Sequence, residues 1–431
     1  MRAWFNFLSV MAAAGCLGVA CTGNIGPVLD LVGGDTGSGG TDSVSGVGSG
    51  GGVPPTTADA TISTSTATGS VDCSGLPDDD ADGDGFSELQ GDCDDCNALV
   101  NPNAIDPPTV GGDGGADPAP VDDDCNGVPD DYVPEMCDDG LLLDDDDPYN
   151  AAKAVELCKM SSGPGDWGVV SAKWVMVDGA PPPEGDELRA NFHRGHGLLP
   201  GFGPNVTPRG GARLLALSSG AARQQQDEGY ESPQGFDKKY ESDFPAGFPK
   251  HPRECGDLVP AKPSDPTAIE ITIRVPSNVH GFSFHVNYAT FDWPYACTDF
   301  NDYFIALLSP RPPDLIDGHI LFDAQNNAMS INNAFIDVCT CEGERPCNID
   351  GVQYDCDRGT LELLGTGFEN RAGTSWLLTS APVEPNQEIK IRWGAYDAGD
   401  HELDSTGLVD NWRWLTEEDV RVVTVADRPA L

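Results

Sequence analysis

The sequence predicts a mainly β protein: a large antiparallel β-sandwich of jelly-roll type, preceded by a small loop-rich calcium and disulfide module and a disordered tether. Three observations predict it. Apolar and polar residues alternate at period two through the C-terminal half, the signature of strands with one buried face. Gly (52) and Pro (35) punctuate those runs, as expected of many short strands. Upstream, residues 72–147 carry 23 Asp and 2 Glu, with no Lys or Arg between Arg2 and Lys153. The net charge of −46 makes nucleic acid and anionic membrane surfaces poor partners.

The chain opens MRAWFNFLSVMAAAGCLGVAC. One Arg, a short apolar run and small residues before Cys read as a secretory signal over 1–20. The ending Gly18-Val19-Ala20-Cys21 resembles a bacterial lipobox, with Cys21 as the lipidated first residue and Cys16 as the rival site. A lipid there would tether the chain to a membrane face, placing it in the cell envelope, at the outer membrane or cell surface. Residues 21–71 are rich in Gly, Ser and Thr and cannot bury enough apolar surface to order themselves. They make a tether of root-mean-square span on the order of 40 Å.

Residues 72–135 hold the acidic module. Asp80-Ala-Asp82-Gly-Asp84-Gly85 places carboxylates at alternate positions before a glycine turn, the front half of a calcium loop. Phe86 would offer a carbonyl and Glu88 a carboxylate; Gly91 stands where an EF-hand has its closing Glu, so Asp92 or a distant residue must serve instead, with Asp94 a further candidate. A second copy, Asp122-Asp-Asp124-Cys-Asn126-Gly127 with Asp130, begins forty-two residues later. Two such loops in one exported segment point to two or more Ca²⁺ ions. Calcium would offset repulsion that no nearby cation balances.

Twelve Cys remain if Cys16 and Cys21 are set aside. An even number in an exported chain argues for disulfides. Cys93 and Cys125 adjoin the two loops and would staple them. Cys73 and Cys96 also belong to this module. Cys137 and Cys158 would pin a helical connector over 136–164, and Cys255 and Cys297 bracket two strands. Cys339, Cys341, Cys347 and Cys356 allow three connectivities. In the connector, Asp144 to Asp147 precede Pro148 and read as helix caps rather than an ion site.

The sandwich spans 165–428. Ile269, Ile271, Ile273 and Val275 share one face; Phe282, Phe284, Val286 and Tyr288 repeat the pattern, as do Ile389, Ile391, Trp393 and Ala395. Further strands are expected over 167–177, 214–218, 303–308, 329–335, 407–414 and 420–425, with long loops over 181–266. Asp397, Asp400 and Asp404 are a further calcium candidate, and Asp299, Asn301 and Asp302 a lesser one. Trp293, Pro294 and Tyr295 could stack on a sugar, though packing at the sandwich end is favoured; Trp412 and Trp414 read as core. His193-Arg-Gly-His196 has a ligand-like spacing, but Gly195 and the Pro-rich setting deny the pair a helix face and no carboxylate stands in register. No nucleophile elbow, zinc-protease or phosphate-loop motif occurs.

GDGFSELQGDCDDCNALVNPNAIDP followed by DDDCNGVPDD resembles the metal-binding motif of bacterial outer-surface proteins, over 78–131. FSFHVNYATFDWPYACTDFNDYFIALL, MSINN and IKIRWGAYDAGDHELDSTGLVDNWRW resemble a choice-of-anchor L domain. That resemblance implies an exported β-sandwich. Together these readings predict a non-enzymatic surface or adhesion module binding a glycan or a surface protein. A structural envelope protein, or a secreted carboxylate-dependent hydrolase, is the alternative.

Overall fold

The structure, a computed structural model, describes residues 75–109, 119–250, 252, 255–256, 261–341, 343 and 345–427. The signal, Cys16, Cys21, the tether and Cys73 lie outside the described residues. Two short helices precede or interrupt the sheets: α1 (Pro148–Lys153) and α2 (Asp186–Arg194). The strands are β1 (Gly168–Val175), β2 (His196–Leu199), β3 (Leu214–Ser218), β4 (Pro263–Arg274), β5 (Gly281–Thr290), β6 (Tyr303–Ser309), β7 (Cys347–Ile349), β8 (Val352–Tyr354), β9 (Ala372–Gly373), β10 (Leu377–Pro382), β11 (Glu388–Ala398), β12 (Ser405–Leu415) and β13 (Val423–Ala426).

They form two large antiparallel sheets, ordered β1-β4-β11-β6 and β13-β10-β5-β12-β3-β2, with β9 beside β5 and a separate β7-β8 hairpin. A jelly roll builds its sandwich from eight strands in two Greek keys; these sheets hold four and seven strands. The alternating residues named above meet between the sheets. Trp393 of β11 packs edge-on against Phe284 of β5 and Trp412 of β12, with ring centroids 5.3 and 6.0 Å apart. Gly407 on β12 is required where it stands, because a Cβ there would collide with the Phe304 ring of β6.

The outer faces are less wet than alternation implies. Glu270 on β4 is buried, yet bonded by Lys173 at 3.0 Å, Lys390 at 3.3 Å and the Arg392 guanidinium. Burial opposes its ionisation, but hydrogen bonds from Arg392, Lys173 and Lys390 outweigh it and hold the carboxyl at about 2. Residues 329–335 are not a strand. Met329, Ile331 and Asn333 are buried in an irregular turn that touches β6 through one backbone hydrogen bond, Phe304 N–H to Met329 C=O at 3.1 Å. The 181–266 stretch also holds more than loops: α2, β2, β3 and the start of β4 lie within it.

The acidic segment docks on the sandwich through its apolar end. Ile105 joins the main core, and the Asn278 side chain holds both its N–H (2.9 Å) and its C=O (2.6 Å). Disulfides join Cys93–Cys125, Cys137–Cys158, Cys255–Cys297, Cys339–Cys356 and Cys341–Cys347. Cys96 is disulfide-bonded too. Among the described residues no helix is long and apolar enough to cross a membrane.

Candidate metal centre

The first acidic loop turns back on itself because its carboxylates bond its own backbone. Asp80 accepts from the N–H groups of Gly83 (2.7 Å) and Gly85 (3.0 Å), both at positive φ, where a side chain would be strained. Asp82, Asp84 and Asp92 each give one oxygen to the N–H two residues on, at 3.2, 2.8 and 2.8 Å. The other oxygen of each, Oδ2, is buried with no hydrogen-bond partner.

These three carboxylates approach within 4.8 Å of one another, and Asp80, Asp82 and Asp95 do the same beside them. Calcium–oxygen distances of about 2.3–2.6 Å put opposite ligands roughly 4.6–5.2 Å apart, so the spacing suits the ion. Burial, then the charges of Asp82 and Asp92, push Asp84 up to about 6. Burial and neighbouring carboxylates likewise raise Asp82 and Asp92. Orphaned buried oxygens and mutual repulsion are what a cation would relieve. Oxygen-only donors select Ca²⁺ or Mg²⁺ over softer metals.

The second group differs from the one the sequence suggests. Asp106, Asp124 and Asp131 lie within 4.8 Å of one another; Asp106 is fully buried and its Oδ1 has no partner. Asp124 is raised by burial and then by Asp131 and Asp106. Asp122 instead accepts from the Asn126 and Gly127 N–H groups at 3.0 and 2.9 Å. Asp130 bonds the Thr109 hydroxyl at 2.5 Å. Asn126 bridges Asp124 (3.0 Å) and Asp131 (3.2 Å) through its amide.

Glu88 and Asp94 are exposed and outside these groups, and the Phe86 N–H serves Asp84. Sequence reading missed Asp95, Asp106 and Asp131. The first and last stand next to recognised acids, but nothing local marks Asp106.

In the sandwich, Asp397 and Asp404 are fully buried, and none of their carboxylate oxygens has a hydrogen-bond partner of normal geometry. Asp400 is half-buried on the turn between them and bonds the Glu402 N–H. The three do not form a close triad among the described residues. A built-in cation faces the buried pair instead. Lys238, itself fully buried, donates to Ser218 C=O (2.9 Å) and Thr267 Oγ1 (2.6 Å). Burial lowers its ammonium to about 8, against the pull of Asp265, Asp397 and Asp404. Asp302 is buried with them, its Oδ2 accepting from Ser405 at 2.8 Å.

Trp293 is buried against Tyr354, so its indole closes the sandwich end, while Pro294 and Tyr295 are exposed. A cleft of about 430 Å³ opens elsewhere, between the acidic segment and the sandwich. Asp124, Asp131, Tyr132, Glu156, Trp167 and Trp414 are among the residues that line it. Compared with models of known families, with curated proteins and with solved structures, the chain matches none.

Proposed function

We propose that the chain is a calcium-loaded, non-enzymatic binding protein of the bacterial cell envelope, held by a lipid on Cys21, whose cleft takes a glycan. The observation that carries this reading is the make-up of the cleft. Asp124 and Asp131, two members of the second acidic group, line it together with the partly buried indoles of Trp167 and Trp414. Calcium held by Asp106, Asp124 and Asp131 would present a cation to sugar hydroxyls, while an indole face stacks on the apolar face of a sugar ring. The secretory and lipobox-like N-terminus supports export, and the choice-of-anchor L resemblance supports a domain carried on an anchor.

The hydrolase reading draws on Glu156, which lines the same cleft. Burial and the charge of Asp410 push its carboxyl up to about 9, as a general acid requires. Its partner is badly placed for glycoside cleavage. Glu156 and Asp410 crowd around one donor, the Asn411 N–H, 2.7 Å from an oxygen of each, whereas glycosidase carboxyls stand about 5–9.5 Å apart around the bond they cut. Binding without turnover fits this geometry better.

Glycan-array binding by the purified chain tests the reading. Binding should occur in calcium, disappear in chelator, and fall at least tenfold in Trp414→Ala and in Asp131→Asn. Silence on the array in calcium would favour the structural alternative, and release of reducing ends would favour the hydrolase.

A further inference from the structure

Asp144 to Asp147 read as helix caps, and only part of the run behaves so. Asp147 caps α1, accepting from Tyr149 N–H at 2.9 Å, and Asp145 accepts from the Asn150 amide at 3.0 Å. Asp144 and Asp146 turn the other way, toward the histidines that sequence reading set aside. The two histidines share no helix face, as expected, but a carboxylate does meet them. His193 lies in the last turn of α2, His196 opens β2, and the chain between them folds so that both rings meet the Asp144–Asp146 loop.

Asp146 Oδ1 is 3.2 Å from His193 Nδ1 and 3.7 Å from His196 Nε2. One ligand atom from each of the three side chains falls within 4.8 Å of the other two. The surroundings fix this arrangement. Trp174 stacks flat on His196, centroids 3.7 Å apart, and its indole N–H holds the Asp146 carbonyl at 2.9 Å. Arg223 donates to His196 C=O at 2.6 Å and to Asp144 at 2.5 Å, and Asp144 in turn stands 2.8 Å from His193 Nε2.

An ion pair between His193 and the two carboxylates accounts for His193 alone. His196 is buried, and neither of its ring nitrogens has a hydrogen-bond partner. A neutral imidazole buried in that way leaves both an N–H and a lone pair unsatisfied, at a cost comparable to lost hydrogen bonds. Burial, then the charges of His193, Arg223 and Lys238, keep the ring neutral, the form that ligates a metal. Those charges are matched elsewhere, Arg223 by Asp144 and Lys238 by the aspartates it faces.

We propose that Asp146, His193 and His196 form a site for a zinc-class divalent transition metal, separate from the calcium groups, with Asp144 orienting His193. Two imidazole nitrogens and one carboxylate are a donor set for zinc and its neighbours, not for calcium. Ligands about 2.0–2.1 Å from a tetrahedral ion lie roughly 3.3 Å apart, close to the observed 3.2 and 3.7 Å. The ion would take the Nε2 lone pair of His196. Asp146 is mostly solvent-exposed, so the fourth position faces water.

Cobalt(II) titration of the full chain, freed of metal and held in excess calcium, tests this. One cobalt per chain should bind with the visible absorption of a four-coordinate nitrogen and oxygen site, and zinc should displace it. His193→Gln should abolish the band. Asp146→Asn, at an exposed position that leaves folding intact, should weaken binding at least tenfold. Asp144→Asn should weaken it about tenfold, the usual effect of losing an orienting carboxylate. His401→Gln should change nothing, although His401 belongs to another close group with Asp237 and Asp265. No visible band, a band untouched in both His193→Gln and Asp146→Asn, or one lost only in His401→Gln would overturn the assignment.

Discussion

Asp84 shows at one residue what the first acidic loop lacks. Its Oδ1 bonds the Phe86 N–H and its Oδ2 is buried without a partner, facing Asp82 and Asp92. With its carboxyl pushed to about 6, protons compete with the ion there. Calcium affinity should therefore fall as pH drops from 7.5 to 5.5, with proton release on binding at the lower pH. Asp84→Asn should weaken this site at least tenfold and remove that pH dependence. Calorimetry at the two pH values checks both; an affinity insensitive to pH and to the substitution would mean that the loop holds itself together by turn hydrogen bonds.

Glu156 and Asp410 make the opposite case, a buried pair that keeps its proton. A carboxyl whose folded pKa exceeds its unfolded value binds protons more tightly when folded. Its stabilisation is thus fully present below about 4 and is lost as pH rises toward the folded value. For Asp410 that value is about 7 and for Glu156 about 9. In chelator, the thermal midpoint should fall from pH 5 to pH 8, and Glu156→Gln should flatten the slope. Equal slopes in the two proteins would show that this pair does not carry the dependence.

At the scale of elements, the Cys93–Cys125 bridge ties the two acidic loops across 32 residues. Replacing both by Ser should cost roughly 2–4 kcal/mol and weaken calcium binding, because a loop that has lost its staple must be ordered by the ion itself. Denaturant unfolding in calcium and in chelator measures both effects; stability unchanged in chelator would show that the bridge constrains nothing.

Much of the sheet architecture was legible. Runs such as Ile269-Glu270-Ile271 alternate because a strand turns successive side chains to opposite faces, and β3, β4, β5, β6, β11 and β12 stand where that pattern points. The pattern misleads over 329–335, where alternating Met329 and Ile331 are buried in a turn rather than a ladder. The α2 helix was hidden in a Pro-rich stretch with a mostly polar face. The acidic clusters divide in the same way. Asp80, Asp82, Asp84, Asp92 and Asp124 were legible because their grouping starts from local loop spacing. Asp106, and the meeting of Asp146 with His193 and His196, depend on contacts between segments distant in sequence, which no local pattern encodes.

Over the whole molecule the carboxylates differ in what stands ready to balance them. Buried aspartates of the sandwich face Lys238 and His401, the Asp144–Asp146 loop has Arg223, and residues 75–131 contain no cationic side chain at all. There the balancing charge must come from solution. The account therefore turns on calcium, and a calorimetric titration of the full chain, paired with limited proteolysis in calcium and in chelator, tests it most directly. It predicts saturable binding of at least two ions, with residues 78–131 protected only when calcium is present. No binding, with that segment cut equally in both conditions, would contradict it and leave the aspartates as a solvated acidic spacer.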